Sequence, residues 1–120
     1  MESVAQFIST LFASRTQAHI FHLQTTSFAQ HKALNEYYDE IIGLVDGFIE
    51  SYQGRYGILR GYSSPAVFKE DDQTIKYFEA LNKYVETTRE RLPQDSYLQN
   101  QVDEIVALVE STVYKLKYLR

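Results

Sequence analysis

Three histidines, His19, His22 and His31, fall within thirteen residues, and the second half of the chain has none. Neutral imidazole is a strong ligand for first-row metals, so this cluster points to metal chemistry. Two imidazoles alone hold an ion poorly, and iron or manganese also takes carboxylates. Asp46 and Glu50 can supply them: at i and i+4 they share one helical face, beside an apolar stripe rather than opposite it. His31 and Asp46, however, are fifteen residues apart, or ~22 Å along a helix, so one chain cannot place both on the same ion. The two half-sites therefore call for a second copy. Two chains packed antiparallel about a two-fold axis would set the His19/His31 end of one against the Asp46/Glu50 end of the other, giving two identical sites per dimer. The plainer reading makes the histidines polar residues near a loop, satisfied by backbone or water. His22, one turn after His19, is either an auxiliary ligand or a partly exposed histidine, with the second preferred.

The elements that must position these residues are helical. Ser3 and Gln6 have capping-box spacing, and Val4, Ile8, Leu11, Phe12, Ala18 and His19 recur at helical intervals up to about Leu23. Gln24 to Ser27 break the pattern, and Ser27 with Gln30 repeats the cap signal. Leu34, Tyr38, Ile41, Ile42, Val45, Ile49 and Tyr52 then mark a second helix of about 25 residues, ended by Gly54 with Gly57. An antiparallel turn between these helices sets His19 and His31 at similar height. Residues 54–70 hold Gly54, Gly57, Gly61 and Pro65 among apolar side chains, and read as an ordered connection able to run ~50 Å when extended. Asp71 and Asp72 supply cap and first-turn charge to a third helix with Ile75, Phe78, Leu81, Val85 and Leu92, closed by Pro93. Asp95 or Ser96 caps a fourth, with Leu98, Val102, Ile105, Val109, Val113 and Leu116 inward. Two short connections and one long central one predict an all-α, ferritin-like four-helix bundle, a single domain over residues 1–120, with the long crossover between helices 2 and 3.

The spacing H-x11-H-x14-D-x3-E, realised as His19, His31, Asp46 and Glu50, resembles the ferroxidase signature of the Dps family of miniferritins. The segment SFAQHKALNEYYDEIIGLVDGFIE looks like that family's second helix, and VDEIVALVESTVYKLKYL like its last. The resemblance implies a bundle that assembles through two-fold dimers into a hollow dodecamer. It also implies inter-subunit mono- or di-iron sites that oxidise ferrous iron, with peroxide or dioxygen, and storage or detoxification of the product. In length and style the chain is similar to short Dps-like proteins of tailed bacteriophages. Two positions depart from the pattern. Ile20 stands where the family usually has tryptophan, and Asn35, four after the second histidine, stands where it often has an acid, which leaves Asn35 as an auxiliary ligand at most. The chain is also shorter than typical members, so a dimer and a cage both stay open.

Composition bounds the remaining classes. The 120 residues contain no cysteine, which excludes disulfides, thiolate metal sites and cysteine nucleophiles and makes the cytoplasm the default setting. The formal charge is −4, neither half is basic, and Lys115, Lys117 and Arg120 form the lone local basic cluster, which argues against DNA binding. Met1 to Thr10 lack a basic, apolar leader pattern, and no apolar run reaches membrane-spanning length, so no signal peptide or membrane segment is expected. No Glu-x-x-His occurs, unlike the intra-bundle di-iron site of larger ferritins. Asp103, Glu104 and Glu110 on the fourth helix, and Glu79, Glu86 and Glu90 on the third, read as solvated faces. The ten tyrosines read as packing residues, with Tyr37 and Tyr38 near enough to His31 to quench radicals. No G-x-S-x-G, Gly-rich phosphate loop or HExxH motif supports hydrolase chemistry. Beside the miniferritin reading stands one of another class: a non-enzymatic ferritin-like helical assembly or protein-interaction module with a vestigial metal site.

Overall fold

In the computed structural model, which describes residues 3–63 and 67–120, four helices account for most of the chain and no strand forms among the described residues. Helix α1, Val4–Gln24, starts with the capping box read from the sequence: Ser3 Oγ accepts from Gln6 N, and the Gln6 side chain accepts from Ser3 N. It buries Phe7, Ile8, Leu11, Ala18 and Phe21. Phe12, expected on the inner face, instead faces outward and stacks on Tyr62 of the connection after helix α2. Four polar side chains, Ser9, Ser14, Gln17 and His22, are buried on α1 in addition to the apolar stripe, and each is satisfied.

Helix α2, Phe28–Tyr56, opens on Ser27, whose Oγ accepts from Gln30 N. Only half of the second capping box forms, because the Gln30 side chain is held by the Thr25 hydroxyl instead. The helix is longer than the sequence suggests. Gly54 stays inside its last turn, and Gly57, at φ 95, ends it, the left-handed backbone being one that glycine adopts without a Cβ clash. At 29 residues, α2 is ~44 Å long, the full 44 Å of the molecule's longest dimension. Leu34, Tyr37, Ile41, Val45 and Phe48 enter the core, while Tyr38, Ile42, Ile49 and Tyr52 pack at its margin.

The described parts of the connection, residues 57–63 and 67–73, then lie along α1. Ser63 N donates to Ser9 Oγ, and the Gln17 amide pairs with both backbone groups of Lys69, accepting from its N–H at 2.7 Å and donating to its carbonyl at 2.9 Å. Pro65, counted among the breakers of this stretch, lies outside the described residues. Asp71 and Asp72 do not cap the next helix. Asp71 Oδ1 accepts from Gln73 N in a turn before it, and α3, Thr74–Thr88, begins after Gln73. A single 3-10 turn at Arg89–Arg91 follows, and α4 runs over Ser96–Tyr118. Arg89 secures this turn through Gln99, Glu86 and Asp103. Asp95 precedes α4, but its carboxylate is taken by the Tyr56 hydroxyl and faces Arg55, which ties the end of α2 to the start of α4.

Because the connection returns to the α1–α2 turn, α3 runs parallel to α2. Helix α1 packs on α2 and α3, α4 packs on α2 and α3, and the α2–α3 pair lies across the diagonal. The core between them holds Phe7 against Phe48, Tyr37 against Phe78, and the α4 stripe Leu98, Val102, Ile105, Val109 and Leu116. Among the described residues no helix is long and apolar enough to cross a membrane.

Candidate metal centre

The three histidines meet where α1 ends and α2 begins. Across this hairpin His22 and His31 clasp each other: His22 Nδ1 lies 2.7 Å from the His31 carbonyl oxygen, and His31 Nδ1 lies 3.0 Å from that of His22. A carbonyl can only accept, so both Nδ1 atoms carry a proton, and in the neutral imidazole the lone pair is then on Nε2. The rings lie face to face with centroids 3.6 Å apart and planes 20° from parallel. In-plane lone pairs on near-parallel rings do not converge, so this geometry gives no support to the auxiliary-ligand reading of His22. His22 is also buried, where the sequence suggested partial exposure.

His19, one turn earlier, stacks on Tyr38 at 4.4 Å and meets the edge of His22 at 5.9 Å. Tyr38 donates its hydroxyl to Asn35 Oδ1, and the Asn35 amide in turn donates to Asp39 Oδ2. Both polar ends of Asn35 are thus engaged within α2. Below this layer, the buried Tyr37 hydroxyl meets Ser14 Oγ at 2.7 Å across the α1–α2 interface. Ser14 spends its own proton on the Leu11 carbonyl, so Tyr37 is the donor. Burial pushes the Tyr37 phenol well above its ordinary range, with Ser14 partly opposing the shift. This bond joins α1 to α2 in the same register that brings His22 to His31. Neither it nor the stacking was readable from spacing; a serine and a tyrosine on the inner phases of consecutive helices were the available signal.

Asp46 and Glu50 sit on the exposed outer face of α2, toward the far end of the bundle. Fifteen residues of uninterrupted helix separate Asp46 from His31, so the two half-sites are ~22 Å apart as the spacing requires. Among the described residues no three His, Asp or Glu side chains gather into a group that could hold a metal ion within one chain. The chain thus presents an imidazole end and a carboxylate end on one long helix. Of the acids read as solvated, Glu79, Glu86 and Asp103 are exposed and paired with Lys117, Arg89 and Arg89 respectively.

A model of a family of unknown function (DUF5856) matches residues 22–116, a span that contains His22, His31, Asp46 and Glu50 and begins after His19. A protein of Enterobacteria phage T4, described as the uncharacterized 14.6 kDa protein in the mobD-ri intergenic region, is 28% identical over 114 residues. The match covers 95% of this chain and 84% of the phage protein. No solved structure matches the chain.

Proposed function

We propose that this chain, which belongs to the family DUF5856, is a ferritin-like bundle whose paired copies bind ferrous iron and oxidise it. His19 and His31 of one copy and Asp46 and Glu50 of the other would hold the ion in a two-fold dimer. The observation that carries this reading is the commitment of His31 Nδ1 to the His22 carbonyl, which leaves Nε2 as its lone-pair nitrogen. Backbone carbonyls holding the distal N–H in this way are the usual outer support of a metal-bound histidine. The parallel run of α2 and α3 on the diagonal, joined by residues 57–73, supports the ferritin-like topology.

The carboxylates would favour ferric over ferrous iron; two ferrous ions would each give one electron to hydrogen peroxide, whose O–O bond breaks and whose oxygens, with two protons, leave as two waters. Assembly and chemistry are then linked, since neither half-site is sufficient. Light scattering should show a dimer or larger multiple of it, and stoichiometric ferrous iron with peroxide should give a fast rise in ferric absorbance. Asp46→Asn, Glu50→Ala and His31→Ala should each abolish that rise while leaving helicity unchanged. A monomer throughout, or oxidation no faster in the wild type than in these variants, refutes the proposal.

A second reading is favoured by the His22–His31 clasp itself, which gives both rings a complete structural use as a lock on the hairpin. In that case the bundle serves assembly or partner binding without chemistry. It is the outcome that the same experiment would leave standing.

A further inference from the structure

At the end of the bundle where α2 starts and α4 stops, a groove of about 760 Å³ lies between the two helices. Its floor is Ala29 and Ala33, whose short side chains leave the space open. Its apolar walls are left in water: Phe28 is 74% exposed, Tyr118 69% and Leu119 45%. Large apolar side chains grouped this way around a depression mark an interaction surface rather than ordinary surface scatter.

The charge around the groove is opposite to that of the chain. Lys32, Lys115 and Arg120 line it against the single acid Glu36, whereas the whole chain carries −4. Glu36 is already answered by Lys115 Nζ at 2.6 Å, and this pairing pulls its carboxyl below the usual range. Lys32 lies over the Phe28 ring at 5.8 Å, and among the described residues neither it nor Arg120 has an ion pair. The α2 N-terminus and the α4 C-terminus meet here with opposed dipoles, so the side-chain charges decide the sign.

We infer that this groove binds an acidic peptide segment of a partner protein, with a large apolar side chain between Phe28 and Leu119 and flanking carboxylates on Lys32 and Arg120. A nucleic acid could also stack on Phe28 and Tyr118. Its many phosphates, however, would meet a chain with sixteen acids against twelve bases, while a short segment places its few charges on the one basic spot. The groove borders the proposed iron centre, since Phe28 stacks on the His31 ring at 6.5 Å, but none of the four proposed ligands lines it, so the inference is tested without iron.

The test is fluorescence anisotropy on the full chain in EDTA, with a labelled peptide in which glutamates flank a Phe-Leu pair. Two control peptides replace the glutamates with glutamines or the apolar pair with serines, and a labelled oligothymidylate is the third probe. Saturable binding of the acidic–apolar peptide is expected, weakened at least ~tenfold by Arg120→Glu, Lys32→Glu or Leu119→Ser and reduced by salt. These positions lie outside the core, and unchanged helicity checks each fold. Absence of saturation, equal binding of either control peptide, tighter binding of the oligothymidylate, or indifference to all three substitutions overturns the inference.

Discussion

Ser14→Ala should destabilise the protein more than Tyr37→Phe, although both remove the same hydrogen bond. Tyr37 is fully buried and donates to Ser14 Oγ, while Ser14 donates to the Leu11 carbonyl. Alanine at 14 leaves the phenol proton buried without an acceptor, a cost of ~1–3 kcal/mol, less ~0.5 kcal/mol of improved helix propensity. Phenylalanine at 37 leaves Ser14 its Leu11 partner and costs only the net bond, ~0.5–1.5 kcal/mol. With both changed, no donor is stranded, so the double variant should be more stable than Ser14→Ala alone. The singles should over-predict its loss by ~1–2 kcal/mol. Urea unfolding at constant slope reads all four proteins, and the Nδ1 protons of His22 and His31 report by NMR whether the hairpin register survives. Additive losses, or a neutral Ser14→Ala, would show that the phenol finds another acceptor.

The other outcomes concern the alkaline limb and the outer face of α2. Burial raises the Tyr77 phenol to about 12 and pushes Tyr37 higher still, so the folded state keeps protons that the unfolded chain releases near pH 10. Stability should therefore be unaffected by these phenols below that pH. It should fall as pH rises from about 10 toward 12, at roughly 1.4 kcal/mol per pH unit for each phenol still protonated when folded; a flat urea midpoint over this range contradicts their burial. Gly43 lies within α2, exposed, with nothing within 4 Å of an added Cβ. Gly43→Ala should raise the urea midpoint by the equivalent of ~0.5–1 kcal/mol in chelated, dilute protein; a loss instead would mean that another helix lies against that glycine.

How much of this was legible in the sequence depended on the kind of signal. The α4 stripe was readable because its apolar residues keep a strict helical period and every one from Leu98 to Leu116 packs inward, Val113 only partly. Helix ends were less so: Gly54 looked like a stop, but a glycine continues a helix at modest cost, and only Gly57 takes the left-handed backbone that ends α2. Asp71 and Asp72 looked like caps, but Asp71, two residues before the N-cap position Gln73, spends its carboxylate on a turn ahead of the helix. Phe12 has inward phase on α1, yet the connection after α2 supplies a partner, Tyr62, on the outside, a tertiary fact with no local trace. At the candidate site, spacing located the imidazole and carboxylate ends and their separation. Ring orientation was not readable, because the clasp between His22 and His31 depends on the rotation of one helix against the other.

The segment between α2 and α3 makes the molecule a two-piece assembly. Through Ser9 and Gln17 it adheres to α1, so residues 3–63 and 67–73 form one body with the first hairpin, and the α3–α4 hairpin is a second body joined to it after Gln73. The second piece docks chiefly by laying α4 along α2, and the link holds it at an effective concentration in the millimolar range. A cut near Gln73 would leave every helix–helix face intact but turn an intramolecular docking into a bimolecular one. The cohesion of the bundle would then depend on protein concentration, and the acidic outer face of α2, carried wholly by the first piece, would keep its arrangement for as long as that piece stays folded.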